Sequence, residues 1–168
     1  MVGTQGGIIA GASKDGDKLM PIKNYSTTVN VGRTAGKIQQ MLVKAGAKAI
    51  LNEFGDDGVL ESISFRIETP QGQVGYRLPA NVDGVQACLV KQKVTPRFRE
   101  RDHACKVAWR IVEDWIAAQL AIIESEMVTA GEVFLPYMIE KTSGKTVYEL
   151  FEEKGQALLT AKGEHDAG

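Results

Sequence analysis

Residues 62–78 read SISFRIETPQGQVGYRL. Ile63, Phe65 and Ile67 alternate with Ser62, Ser64 and Arg66, which places one side chain of every two on an apolar face, the period of a half-buried strand. Thr69-Pro70-Gln71-Gly72 carries turn residues, and Val74, Tyr76 and Leu78 then resume the alternation. Two such runs joined by a short turn make an antiparallel hairpin. Pro79 ends the sheet on this reading.

Outward from the hairpin, Ala49–Phe54 reads as a short strand closed by the Gly55-Asp56-Asp57-Gly58 turn. Before it, residues 33–45 place Ile38, Met41, Leu42 and Ala45 on one helical face, with Gly46 where a helix-ending glycine belongs. Tyr25, Thr27, Val29 and Val31 alternate with Ser26, Thr28 and Asn30, and predict a first strand. After the hairpin, Asn81 is placed to cap a short helix carrying Val82, Val85 and Leu89. A helix is then expected from Phe98 to Ser125, with Ala104, Val107, Ala108, Ile111, Trp115, Ala118 and Ile122 as its stripe. At 1.5 Å per residue it would be roughly 42 Å long, more than a small domain needs, and so it offers a homo-oligomer interface. Val133–Met138 is a compact apolar segment, and Thr146 can cap a last helix with Val147, Leu150 and Phe151. The expected fold class is α+β. A small antiparallel sheet in the order β-α-β-β-β-α is covered by helices, with a long helix in the second half.

The chain has 168 residues, enough for one domain with a buried core. Residues 20–162 are expected to form it. Residues 1–19, with five glycines and no periodicity, read as a disordered leader or non-native extension, with Met20 as a natural start. Residues 163–168 read as a disordered tail. No run approaches the roughly 18 consecutive apolar residues of a membrane span, so no membrane partner is expected. Two cysteines, Cys88 and Cys105, sit beside apolar residues, which points to free thiols and a reducing cytoplasm.

Charge is the one feature that points to a partner. The chain has 20 Lys/Arg and 21 Asp/Glu, a net charge of −1. Residues 91–110 hold seven of those bases, Lys91, Lys93, Arg97, Arg99, Arg101, Lys106 and Arg110, against only Glu100 and Asp102, a local net of +5. Such a concentration in an otherwise acidic chain suits phosphates, or an acidic protein surface. Arg99, His103, Lys106 and Arg110 share a helical face. Trp109 beside it and Tyr76 on the sheet are candidate stacking residues. The competing reading is a solvated face whose charges pair with Glu100, Asp102, Glu113 and Asp114.

Motifs for chemistry are wanting. Gly6-Gly7…Gly11 leads to Ala12-Ser13-Lys14 rather than the Gly-Lys-Ser/Thr of a phosphate-binding loop. His103 and Cys105 are two apart on a helix and point to different sides, unlike a metal pair. Glu53, Asp56, Asp57 and Glu61 are the acids from which a metal-assisted site would have to be built. No catalytic residue, cofactor or metal is therefore expected, and the chain reads as a non-enzyme.

From Lys23 to Tyr148 the chain resembles a group of small bacteriophage and prophage proteins. KNYSTTVNVGRTAGKIQQMLVKAGAKAI, SISFRI, YRLPANV, VAWRIVEDWIAAQLAIIESEM and EVFLPYM carry the resemblance. It implies a setting, the cytoplasm of a bacterial host, and brings no site residues with it. The order from Arg33 to Leu89 is also that of a double-stranded-RNA-binding domain. Pro79–Gly84, however, lacks the lysines with which that family grips phosphates. The expectation is an accessory protein binding nucleic acid or a nucleoprotein complex through residues 91–110. The alternative is a protein inhibitor of a host defence or replication complex, in the manner of an anti-CRISPR protein.

Overall fold

The computed structural model describes residues 20–162. The expectations for residues 1–19 and 163–168 lie outside the described residues. The elements in chain order are α1 (Val31–Lys44), β1 (Ala49–Phe54), β2 (Leu60–Thr69), β3 (Gly72–Arg77), α2 (Val82–Lys91), α3 (Arg101–Glu124), α4 (Ala130–Phe134) and α5 (Val147–Lys162). Short 3-10 turns at Pro96–Phe98 and Leu135–Tyr137 precede α3 and follow α4. The fold is α+β, with one antiparallel sheet in the order β1-β2-β3.

The hairpin forms as its alternation requires. Phe65 pairs with Tyr76 and Ile67 with Val74, so the apolar side chains fall on one face. Across the other ladder Ile50 pairs with Phe65 and Asn52 with Ile63, and the register slips between Glu53 and Phe54. The inner face is aromatic at its centre. Phe65 stacks on Tyr76 at 5.2 Å between ring centroids, and Phe134 meets Phe65 edge-on at 5.6 Å. Trp115 closes the group against Phe134 at 5.8 Å. Ile139 N–H donates to the Gly75 carbonyl at 2.8 Å, which ties the segment after α4 to the far side of β3.

The strand expected at residues 25–31 does not form. Tyr25 N–H donates to Ile22 O and Thr27 N–H to Asn24 O, which makes a turn. Asn30 then caps α1 by accepting from Arg33 N–H at 2.8 Å, and Val31 is already helical. The alternation here reflects a strap lying on the helices. Ile22 and Tyr25 pack on the core, and the strap's polar groups are satisfied by side chains instead of a neighbouring strand. Gln92 Oε1 accepts from Ile22 N–H at 2.9 Å, Asp114 accepts from Asn24 Nδ2 at 2.9 Å, and His103 Nε2 lies 2.6 Å from the Tyr25 carbonyl.

Helix α3 runs 24 residues, about 36 Å, and begins at Arg101 rather than Phe98, because Pro96–Phe98 forms its own turn. It packs against both α1 and α2. A helix with neighbours on two sides buries a wide arc. Cys105, Trp109, Val112 and Ile116 are buried with Ala104, Val107 and Ala108.

Three helices end in the same way. The N–H groups of the second and third residues past the last helical one turn back to the helix's final carbonyls, and the second adopts a left-handed backbone. After α1 that residue is Gly46, with φ +103°, where Gly46 N–H reaches Val43 O and Ala47 N–H reaches Leu42 O. After α2 it is Lys93, with φ +52°, and after α3 it is Glu126, with φ +59°. A side chain in this conformation costs roughly 1–2 kcal/mol that glycine avoids.

Candidate nucleic-acid interface

The seven bases of residues 91–110 do not form one surface. Arg101 donates to Asp57 at 3.2 Å and also to Asp83, bridging the β1–β2 turn to the start of α2. The Asp57 carboxyl is held below its ordinary range by the Val59 N–H and then by Arg101. The Arg101 guanidinium is pushed up, first by its hydrogen bond to Asp83 and then by that to Asp57. Arg110 pairs with Glu113, which also takes Lys37 at 3.6 Å. Arg99 donates from Nε to the Val94 carbonyl at 2.6 Å, and its own carbonyl accepts from Gln86 Nε2, so it pins the loop between α2 and α3. The local-pairing reading therefore holds for Arg110 with Glu113, whereas Arg101 is paired with two acids from distant parts of the chain that the reading did not name.

Lys91, Lys93 and Arg97 are exposed, and none makes an ion pair among the described residues. Lys91 is the last residue of α2, Lys93 is its left-handed cap, and Arg97 sits in the 3-10 turn with its guanidinium 4.6 Å above the Phe98 ring. Together they make a basic lip on the α2–α3 connection. Lys106 is separate. It is half-buried on the wall of a cleft of about 460 Å³ between α1, the β1–β2 turn and the start of α3, with Asp102, Cys105, Gln39 and Asn52. None of the three lip residues lines that cleft.

Neither candidate stacking residue presents a ring. Trp109 is fully buried and donates from Nε1 to the Leu60 carbonyl at 2.9 Å. Tyr76 is 3% exposed in the aromatic cluster, and burial raises its phenol pKa. Both side chains belong to the core. A buried indole needs a partner for its N–H, and the Leu60 carbonyl supplies it. The ring that does sit at the lip is Phe98, half-buried against Tyr25 and His103.

His103, one of the chain's two histidines, fastens the strap. Asp114 does the same through Asn24 and Lys23, the latter at 3.0 Å. Burial alone would raise the Asp114 carboxyl, but hydrogen bonds from Asn24 and Lys23 outweigh it and leave it below the usual range. Gln92 completes the fastening, and nothing local in the sequence marks its role. The Cys105 thiol is pushed up by burial, which disfavours the reactive thiolate. Among the described residues no three His, Cys, Asp or Glu side chains converge as metal ligands, and no helix is long and apolar enough to cross a membrane. Comparison with known protein families, curated proteins and solved structures finds no match to this chain.

Proposed function

We propose that this is a non-enzymatic accessory protein that binds nucleic acid, alone or within a nucleoprotein complex, through Lys91, Lys93 and Arg97. The observation that carries the reading is the conformation of Lys93. A left-handed helix cap favours glycine, yet the chain holds there an exposed lysine with no acid partner among the described residues. Folding gains nothing from that side chain, so its charge is best explained by something outside the molecule. Lys91 and Arg97 add two more cations on the same connection, and the arginine's planar guanidinium suits a phosphate oxygen pair. Direct base readout is not part of the proposal, because Trp109 and Tyr76 are core residues. The resemblance to phage and prophage proteins supports a bacterial host cell as the setting.

The test is binding to labelled single- and double-stranded DNA and RNA across a salt series. Three phosphate contacts predict that log K falls against log salt with a slope of about −3 on duplex DNA. Changing Lys91, Lys93 and Arg97 together to Glu should abolish binding without altering the fold. Absence of binding to every nucleic acid at low salt refutes the proposal and redirects the lip toward an acidic protein surface.

A further inference from the structure

A second surface lies along the C-terminal halves of α1 and α3. Lys37 meets Glu113, Val31 and Ala35 share a cleft with Asp102 and Lys106, and Met41 and Ala45 share a groove with Ala117–Glu124. Progress along α1 thus tracks progress along α3, and the two helices run parallel. The groove between them is about 420 Å³ and is floored by the half-buried Met41, Leu120 and Ile123, with the exposed Ala45, Ala117 and Ala121 on its rim.

Charge defines what fits there. The α1 wall of the groove ends in Lys44 and the α3 wall in Glu124, at the same end. Both are exposed, and neither makes an ion pair among the described residues. Helix α3 has no basic residue in its last turn. Glu124 therefore faces the negative end of the helix dipole, and Glu126 follows it in a left-handed cap that favours glycine. Two acids at this end are unfavourable for the isolated helix, and since Lys44 across the groove makes no ion pair with either among the described residues, both stay open to a further cation.

We infer that this groove is a homodimer interface, occupied by the same groove of a second copy of the chain. A two-fold axis along the groove sets α1 of one copy against α3 of the other. It brings Lys44 of each copy to Glu124 of the other, so two ion pairs close at once around an apolar centre. This is the self-complementarity that an isologous contact demands, one patch carrying both halves of each pair. Small residues on the α3 rim permit close approach of the helices. The surface shares no residue with the basic lip, so a dimer presents two lips.

The experiment is sedimentation velocity of the full chain over a concentration series. The expected result is a monomer of 18.2 kDa giving way to a species of twice that mass. Ala121→Glu, at an exposed position, should keep the circular dichroism spectrum and melting temperature and remain monomeric. Lys44→Glu and Glu124→Lys should each weaken dimerisation by about tenfold, the scale of two exposed pairs turned repulsive. The double variant should recover it, which a loss of folding cannot imitate. A monomer at every concentration overturns the inference, as does a dimer indifferent to Ala121→Glu or single reversals that the double fails to rescue. Nucleic-acid binding by a strictly monomeric protein would leave the lip proposal standing while this one fell.

Discussion

Replacing Lys93 by glycine is expected to move stability and binding in opposite directions. The backbone at Lys93 has φ +52°, and its N–H, with that of Val94, closes the end of α2 on Val90 O and Leu89 O. Holding a β-carbon there costs roughly 1–2 kcal/mol. Glycine removes that strain but adds roughly 0.5–1 kcal/mol of unfolded-state entropy. The net expectation is a gain of about 0.5–1 kcal/mol. For a chain of this size that corresponds to a melting temperature higher by about 1–4 °C. The same substitution deletes one of three lip cations, so the salt slope of nucleic-acid binding should fall from about −3 toward about −2. Thermal unfolding by circular dichroism reads the first effect, and fluorescence anisotropy at several salt concentrations reads the second. A melting temperature that drops would refute the claim that the lysine is strained. An unchanged salt slope, with binding intact, would remove Lys93 from the contact surface.

The core and the residue 140–144 turn each give a further expected outcome. Trp109→Phe should destabilise by about 2–4 kcal/mol, since it leaves a void where the indole was and strips the Leu60 carbonyl of its N–H donor. Urea unfolding followed by circular dichroism measures this, and nucleic-acid affinity should not change. Glu140 accepts from the backbone N–H groups of Thr142 and Ser143 and from the Ser143 hydroxyl, which depresses its carboxyl from 4.5 to about 2. A depressed carboxylate stabilises the fold above its unfolded pKa. Its contribution to the residue 140–144 turn should thus be intact above pH 4.5 and fade as pH falls toward about 2. A side-chain carbon titration by NMR with its midpoint at the ordinary value would contradict this.

The parts of the fold legible in the sequence are those whose periodicity has a local cause. The residue 62–78 hairpin is set by two-residue alternation and a glycine turn, and α1 by its apolar stripe and Gly46. Residues 25–31 show why alternation alone is insufficient. It records that every second side chain meets the core, but not whether backbone groups find a strand or the side chains of Gln92, His103 and Asp114. Helix α3 shows a related limit. A single stripe was readable, but with α1 and α2 on two sides the buried arc widened to take in Trp109, which therefore packs rather than projects. The basic run was legible as a sum of charge. Its division was not, because Asp57 and Asp83, which take up Arg101, lie 44 and 18 residues away in the chain. The left-handed conformation of Lys93 had no signature, since glycine, its usual marker, is missing there.

The strap of residues 22–25 has a consequence for the order in which the molecule is assembled. Its three fastenings join residues separated by 70, 78 and 90 positions. During synthesis the strap precedes its anchors, and although Gln92 at the end of α2 can take Ile22 first, the fastenings to His103 and Asp114 wait until α3 has left the ribosome. Sheet and α1 can associate beforehand from nearer contacts, but closure of the strap waits for the chain's second half. It is therefore a late latch, and a nascent chain halted before Asp114 would leave Lys23 and Asn24 without their anchor.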